Sequence, residues 1–209
     1  MIDSKTISIV DYGSGNIQAI KNILLTLNVN VRSVTNCNEL VSSEKLILPG
    51  VGAFDFVMGE LNASGMIPML NQLVLEKRVP VLGICVGMQI MGESSEEGKV
   101  KGLNWINALA KKFVFKNDQS SLPLPHMGWN DVSILKESPL FTGMKKPSFY
   151  FLHTYHLATL NSKMDLGSTE YGHDFISAVQ HKNIFATQFH PEKSHLDGVQ
   201  LMKNFVEYC

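Results

Sequence analysis

A cysteine held between glycines is the first place in this chain where chemistry could occur. In Val79-Pro-Val-Leu-Gly-Ile-Cys-Val-Gly-Met-Gln89 an apolar, β-branched run leads into Gly83-Ile84-Cys85-Val86-Gly87 and then into a helix-compatible segment. Strand, sharp turn and helix with a nucleophile at the apex make a G-x-nucleophile-x-G elbow. The apex residue of such a turn is strained, so the positions beside it must be small. The sulfur would stand at the carboxyl edge of a sheet and at a helix N-terminus, which favours thiolate over thiol. The backbone N–H of Val86 would point to where an oxyanion could form. Taken alone, the pattern also fits a buried structural cysteine beside a tight turn. The balance shifts at Ala186-Thr-Gln-Phe-His-Pro-Glu-Lys-Ser194, where a strand runs into His190 and Glu192 follows across Pro191. Proline fixes its own φ and pushes the residue before it toward extended geometry. The pair is thus presented from a rigid strand end, where a carboxylate can hold one imidazole nitrogen while the other faces a nucleophile.

The elements that must bring these groups together follow from periodicity. Thr6–Val10 predicts an opening strand, Asp11-Tyr-Gly-Ser-Gly-Asn16 a loop, and Ile17, Ile20, Leu24 and Leu27 fall at helical spacing. Val29–Val34 and Lys45–Leu48 predict two further strands. The first loop is rich in glycine but has neither the Lys-Ser/Thr of a phosphate loop nor a full G-x-G-x-x-G. The third strand ends in Pro49-Gly-Val-Gly52, which reads either as an ordinary turn or as an oxyanion strand whose glycines free the backbone N–H groups to turn. Helices are expected over Phe54–Asn62 and Ile67–Glu76, ahead of the elbow strand. Strands alternating with helices predict a doubly wound, mostly parallel sheet with its active site at the strand carboxyl ends. From Ala108 the pattern changes to shorter runs, Lys112–Phe115, Trp129–Leu135, Ser148–Leu157, Ile176–Gln180 and Ile184–Phe189, expected as an antiparallel extension. A last helix near Val199–Tyr208 would bury Val199, Met202, Phe205 and Val206. With no linker, repeat or low-complexity tract, residues 1–209 are expected to form a single domain.

Composition narrows the function classes. Hydrophobic content of 44%, charged content of 18% and a formal net charge of −1 fit a globular domain without a basic footprint for nucleic acid. No apolar run is long enough to span a bilayer, and Met1-Ile-Asp-Ser-Lys lacks the order of a signal peptide. The 3 cysteines, Cys37, Cys85 and Cys209, are too scattered for a disulfide framework, which predicts a reducing cytoplasm. Cys37, in a polar turn, and Cys209 are expected to be inert. Glu93-Ser-Ser-Glu-Glu-Gly98 reads as a solvated connection. His126, His153 and His156 lie in aromatic-rich stretches without zinc-site spacing, so no metal is expected, and nothing else calls for a cofactor.

Five ordered motifs, Asp11–Asn16, Leu48–Phe54, Gly83–Gln89, Pro125–Asn130 and Ala186–Ser194, span nearly the whole chain. Together they resemble the class I (triad) glutamine amidotransferases, and within them the glutaminase subunit of imidazole glycerol phosphate synthase. The resemblance implies a flavodoxin-like fold and a Cys-His-Glu triad of Cys85, His190 and Glu192. Cys85 would attack the amide carbon of L-glutamine to give a γ-glutamyl thioester. His190 would carry the proton to departing ammonia, and Glu192 would orient the ring. Val86 and, after local reorientation, Val51 would supply the oxyanion N–H groups. Gln89 would contact the amino-acid end of the substrate, with backbone near Gly52, Thr154 and Tyr155. Ammonia would pass to a (β/α)8-barrel cyclase subunit in a heterodimer, and Asn16, Trp129, Tyr150 and Lys193 would lie on the docking face. Trp129 could equally cap the β extension as a core residue. The chain departs from the usual pattern at Val86, Gly92, the strand His153-Thr-Tyr-His156 and Trp105. Those departures leave open a paralogue that feeds ammonia to a sugar amidotransferase in surface-polysaccharide synthesis. A non-catalytic partner protein, which should show a broken triad, and a γ-glutamyl hydrolase are the remaining alternatives.

Overall fold

In the computed structural model, which describes residues 6–115 and 122–209, the first half of the chain alternates strand and helix: β1 (Ile7–Val10), α1 (Ile17–Thr26), β2 (Val31–Val34), α2 (Cys37–Leu40), β3 (Lys45–Gly50), α3 (Phe54–Ala63), α4 (Ile67–Asn71), β4 (Val81–Cys85) and α5 (Val86–Gln89). The second half is mainly short strands: β5 (Ser94–Ser95), β6 (Ala108–Lys112), β7 (His126–Asp131), β8 (Ser133–Ile134), β9 (Ser148–His153), β10 (Tyr155–Thr159), β11 (Asp165–Glu170), β12 (Asp174–His181) and β13 (Ile184–Thr187), closed by α6 (His195–Tyr208). Met1–Lys5, on which the reading of the leading segment rested, lie outside the described residues.

The strands β2, β1, β3, β4 and β13 run side by side and parallel in that order, the doubly wound arrangement of flavodoxin-like sheets. Every residue of β3, β4 and β13 is buried, as expected of parallel strands covered on both faces. The sheet then changes direction. Strands β12, β10 and β6 continue it antiparallel, while β11 and β8 branch from β12. The predicted mixed architecture is therefore the observed one.

Several boundaries moved. The expected strand Ser148–Leu157 is two strands in different sheets: β9 pairs β7, β10 joins the main sheet, and the chain changes layer at Thr154. Side-chain alternation alone cannot reveal such a crossing, because it persists on both sides of the bend. Strand β11 was not anticipated. Helix α6 begins earlier than expected and buries Leu201, Met202 and Phe205, while Val199 and Val206 are only partly covered. Cys37 opens the short helix α2, capped by Asn36, rather than sitting in a turn. The end of the predicted helix Ile67–Glu76 is a π-turn over Gln72–Glu76. Lys45, buried at 1% exposure, uses its ammonium to cap α6, donating to the carbonyls of Phe205 (2.8 Å), Val206 (2.7 Å) and Cys209 (2.6 Å). A cation there satisfies carbonyls that the helix itself leaves open, and it complements the helix dipole.

Among the described residues, no helix is long and apolar enough to cross a membrane.

Candidate active site

Register brings the chemistry together. Thr187 of β13 is paired with Ile84 of β4, so the chain leaves these neighbouring strands at Cys85 on one side and toward His190 on the other. Cys85 has φ +55° and ψ −113°, the strained apex expected of the elbow, and it directly precedes α5. Close packing holds the turn. A Cβ on Gly87 would run into the Leu48 carbonyl, and one on Gly83 would meet Met91 Cε at 2.8 Å. Gly92, an unusual residue in the sequence comparison, has a local cause: a Cβ there would lie 2.6 Å from the Ala108 carbonyl oxygen.

His190 is 2% exposed, and its Nδ1 lies 2.8 Å from Glu192 Oε1. Burial disfavours the charged ring, but Cys85 and Glu192 beside it outweigh that and raise the His190 pKa to about 10. The surroundings of the ring thus favour its charged form. The other carboxylate oxygen of Glu192, Oε2, is buried without a hydrogen-bond partner, so its charge is answered chiefly by the imidazolium. The His190 backbone N–H donates to the Tyr150 carbonyl (2.9 Å), and Ser194 Oγ accepts from Tyr150 N (3.0 Å) while donating to the His190 carbonyl (2.6 Å). The triad turn is therefore fastened to β9.

A cavity of about 570 Å³ opens over Cys85 and His190. Val51, Gly52, Val86, Gln89, Thr154 and Tyr155 line it, as do Asn16 and Lys193. Val86 begins α5, so its N–H has no carbonyl within its own helix to bond. Val51 is placed differently: its N–H donates to Ser14 Oγ at 3.1 Å, and the same hydroxyl donates to the Val51 carbonyl at 2.9 Å. Here the Val51 amide is turned to the Asp11–Asn16 loop. Tyr12 adds a second clip by donating to the Pro49 carbonyl.

Gln89 lines the cavity, but its Nε2 is committed to the Tyr155 carbonyl (2.9 Å) and Gln188 Oε1 (3.1 Å). Its Oε1 is the atom left to face a ligand. Two residues that the sequence reading passed over belong here. Gln188, fully buried, places Nε2 3.7 Å from Cys85 Sγ. Glu97, assigned to a solvated connection, lines the cavity and accepts from the Phe54 N–H at 2.8 Å, at the start of α3. Composition concealed it, because acidic loops are usually only hydrated.

Trp129 and Tyr150 are paired across β7 and β9, outside the residues that line the cavity. Trp129 is 49% exposed and stacks on His195 at 5.1 Å between ring centroids, so it is not a core residue. Lys193 Nζ lies 5.7 Å from the Tyr150 ring centroid. By contrast Trp105 is buried and donates to Asn71 Oδ1 at 2.7 Å, away from the site. Among the described residues, no group of three or more His, Cys, Asp or Glu side chains could hold a metal.

The chain has the same construction as known proteins. The profile of the family described as Glutamine amidotransferase class-I matches residues 8–208. Imidazole glycerol phosphate synthase subunit HisH of Leptospira borgpetersenii is 48% identical over 95% of this chain and 98% of its own. The subunit of the same name from Bdellovibrio bacteriovorus is 46% identical over 96% of this chain and 99% of its own. A crystal structure of a glutamine amidotransferase superposes with a TM-score of 0.74 at 17% identity, covering 96% of this chain and 97% of that one, which extends the likeness to the fold. This chain is thus a class-I glutamine amidotransferase and belongs to the HisH family of imidazole glycerol phosphate synthase subunits.

Proposed function

We propose that Cys85 is the nucleophile that cleaves the side-chain amide of glutamine, with His190 as proton carrier and Glu192 as the group that orients it. The observation that carries this is the buried His190–Glu192 contact of 2.8 Å on a ring that lines one cavity with a strained elbow cysteine. The thiolate adds to the amide carbon, and the oxygen gains negative charge. The Val86 N–H meets that charge, joined by the Val51 N–H once it leaves Ser14. His190 gives its proton to the departing nitrogen, ammonia leaves, and a γ-glutamyl thioester remains. Water, deprotonated by the now neutral His190, attacks the thioester carbon. Glutamate then leaves as the sulfur departs as thiolate. Backbone at Gly52, Thr154 and Tyr155 and the free Gln89 oxygen hold the amino-acid end. Glu97, the one carboxylate among the described residues lining the cavity, suits the α-ammonium.

The ammonia acceptor is a (β/α)8 cyclase subunit joined in a heterodimer through the face that carries Asn16, Trp129, Tyr150 and Lys193. An exposed tryptophan is the kind of anchor on which interfaces depend. The chain acts as one domain in a reducing, cytoplasmic compartment, in keeping with its free cysteines. Acid-quenching the protein during turnover tests the chemistry: mass spectrometry should find a γ-glutamyl adduct on the Cys85 peptide. Continued hydrolysis with the adduct on another residue, or with none at all, would refute the assignment.

A further inference from the structure

Two buried histidines outside the triad face each other across the two-stranded sheet. His126 of β7 pairs with His153 of β9, and they are 3% and 6% exposed. His153 Nδ1 lies 2.8 Å from the Tyr155 carbonyl oxygen. A carbonyl only accepts, so Nδ1 carries the hydrogen and Nε2 a lone pair. His126 Nδ1, 3.1 Å from that Nε2, must then donate. Its own Nε2 is left to accept from Asn130 Nδ2 at 3.3 Å. The Asn130 amide is oriented in turn by the Glu170 carbonyl, which accepts from Nδ2 at 2.9 Å. From Asn130 through His126 and His153 to the Tyr155 carbonyl the hydrogen bonds run the same way, and the second Asn130 amide hydrogen goes to the Glu170 carbonyl. A proton added to His153 would set two N–H groups against each other across 3.1 Å, and one added to His126 would oppose Asn130. Burial likewise pushes the rings toward the neutral form, to pKa values of about 4 for His126 and about 3 for His153.

What this chain holds is the change of sheet at Thr154. His153 ends β9 and Tyr155 begins β10, so the Nδ1 bond spans the crossing. The same Tyr155 carbonyl accepts from Gln89 on the elbow helix, and the Leu152 carbonyl lies 3.9 Å from Cys85 Sγ. Leu152, His153, Thr154 and Tyr155 all line the cavity. We propose that His153 is a positioning residue for glutamine hydrolysis, and that His126 locks it in the one tautomer able to hold the Leu152–Tyr155 backbone against the nucleophile. Packing alone does not require imidazoles here. His126 stacks between Phe151 (4.8 Å) and Tyr171 (3.9 Å), where a phenyl ring would serve equally well.

The proposal rests on the glutaminase reading above, and the experiment separates the two. In ¹⁵N spectra of the full chain near neutral pH, both rings should be neutral with hydrogen on Nδ1. Assayed with its barrel partner, His126→Phe should raise KM for glutamine about tenfold and leave kcat within about threefold, since one buried hydrogen bond holding the binding wall is lost. His126→Asn, which keeps an N–H near the Nδ1 position, should recover most of that affinity. Partial unfolding would instead lower kcat and leave KM alone. An active chain whose His153 carries its hydrogen on Nε2 would overturn the proposal, as would an unchanged KM in His126→Phe or equal losses in both variants. A chain with the expected tautomers that cannot hydrolyse glutamine would overturn the enzymatic reading instead.

Discussion

Glu192 is the residue whose proposed role is most open to measurement, because it would act only through another. It lifts the His190 pKa through a hydrogen bond and its charge. Glu192→Gln keeps a hydrogen-bond acceptor and removes the charge. It should lower kcat roughly tenfold, against a thousandfold or more for His190→Asn, which removes the proton carrier itself. The sign of the pH effect is fixed as well. Without the carboxylate, the imidazolium is less stabilised, so the loss of activity that follows His190 deprotonation should move to lower pH. A pH–rate profile for Glu192→Gln that superposes on the unsubstituted one would show that the carboxylate charge does not reach the ring.

At the scale of elements, the first loop and the third strand form one device. Ser14 and Tyr12 clip Pro49–Val51 to the Asp11–Asn16 loop, and the Val51 N–H is spent on Ser14. Ser14→Ala should free that amide and raise glutaminase activity of the chain without its partner by roughly tenfold, part of the value of an oxyanion donor. Unchanged basal activity would mean that the amide stays turned away for another reason. Elements also show what a sequence can disclose. The elbow and the His-Pro-Glu turn were legible because each couples a backbone constraint to a reactive side chain over a few consecutive residues. The parallel core was legible from strands that alternate with helical patterns. Contacts between distant segments were not: Gln188 beside the sulfur, Glu97 at the start of α3, Lys45 beneath the end of α6 and the change of sheet at Thr154 all depend on how parts far apart in the chain come to lie together. Glu97 in particular sat in an acidic loop with no local sign of a ligand.

The whole molecule carries these local charges into its stability. His126, His153 and His156 have pKa values lowered by burial to about 4, 3 and 4. For a histidine whose folded pKa lies below its unfolded value of about 6.5, stability is full above that value and falls as pH drops, because the unfolded chain takes up protons the fold refuses. His190, raised to about 10, acts in the opposite sense: its contribution is full below about 6.5 and is lost as pH rises through 10. Denaturation midpoints measured across pH should therefore peak near neutrality and fall on both sides. A midpoint that climbs toward pH 4 would contradict the neutral histidine cluster.

The proposed production of ammonia at Cys85 and its transfer to a partner are tested most directly by one substitution. In the complex with the barrel subunit, Cys85→Ala should abolish synthesis driven by glutamine and leave synthesis driven by added ammonia intact. Loss of both activities would make Cys85 a structural residue, and survival of the glutamine-driven reaction would place the nucleophile elsewhere.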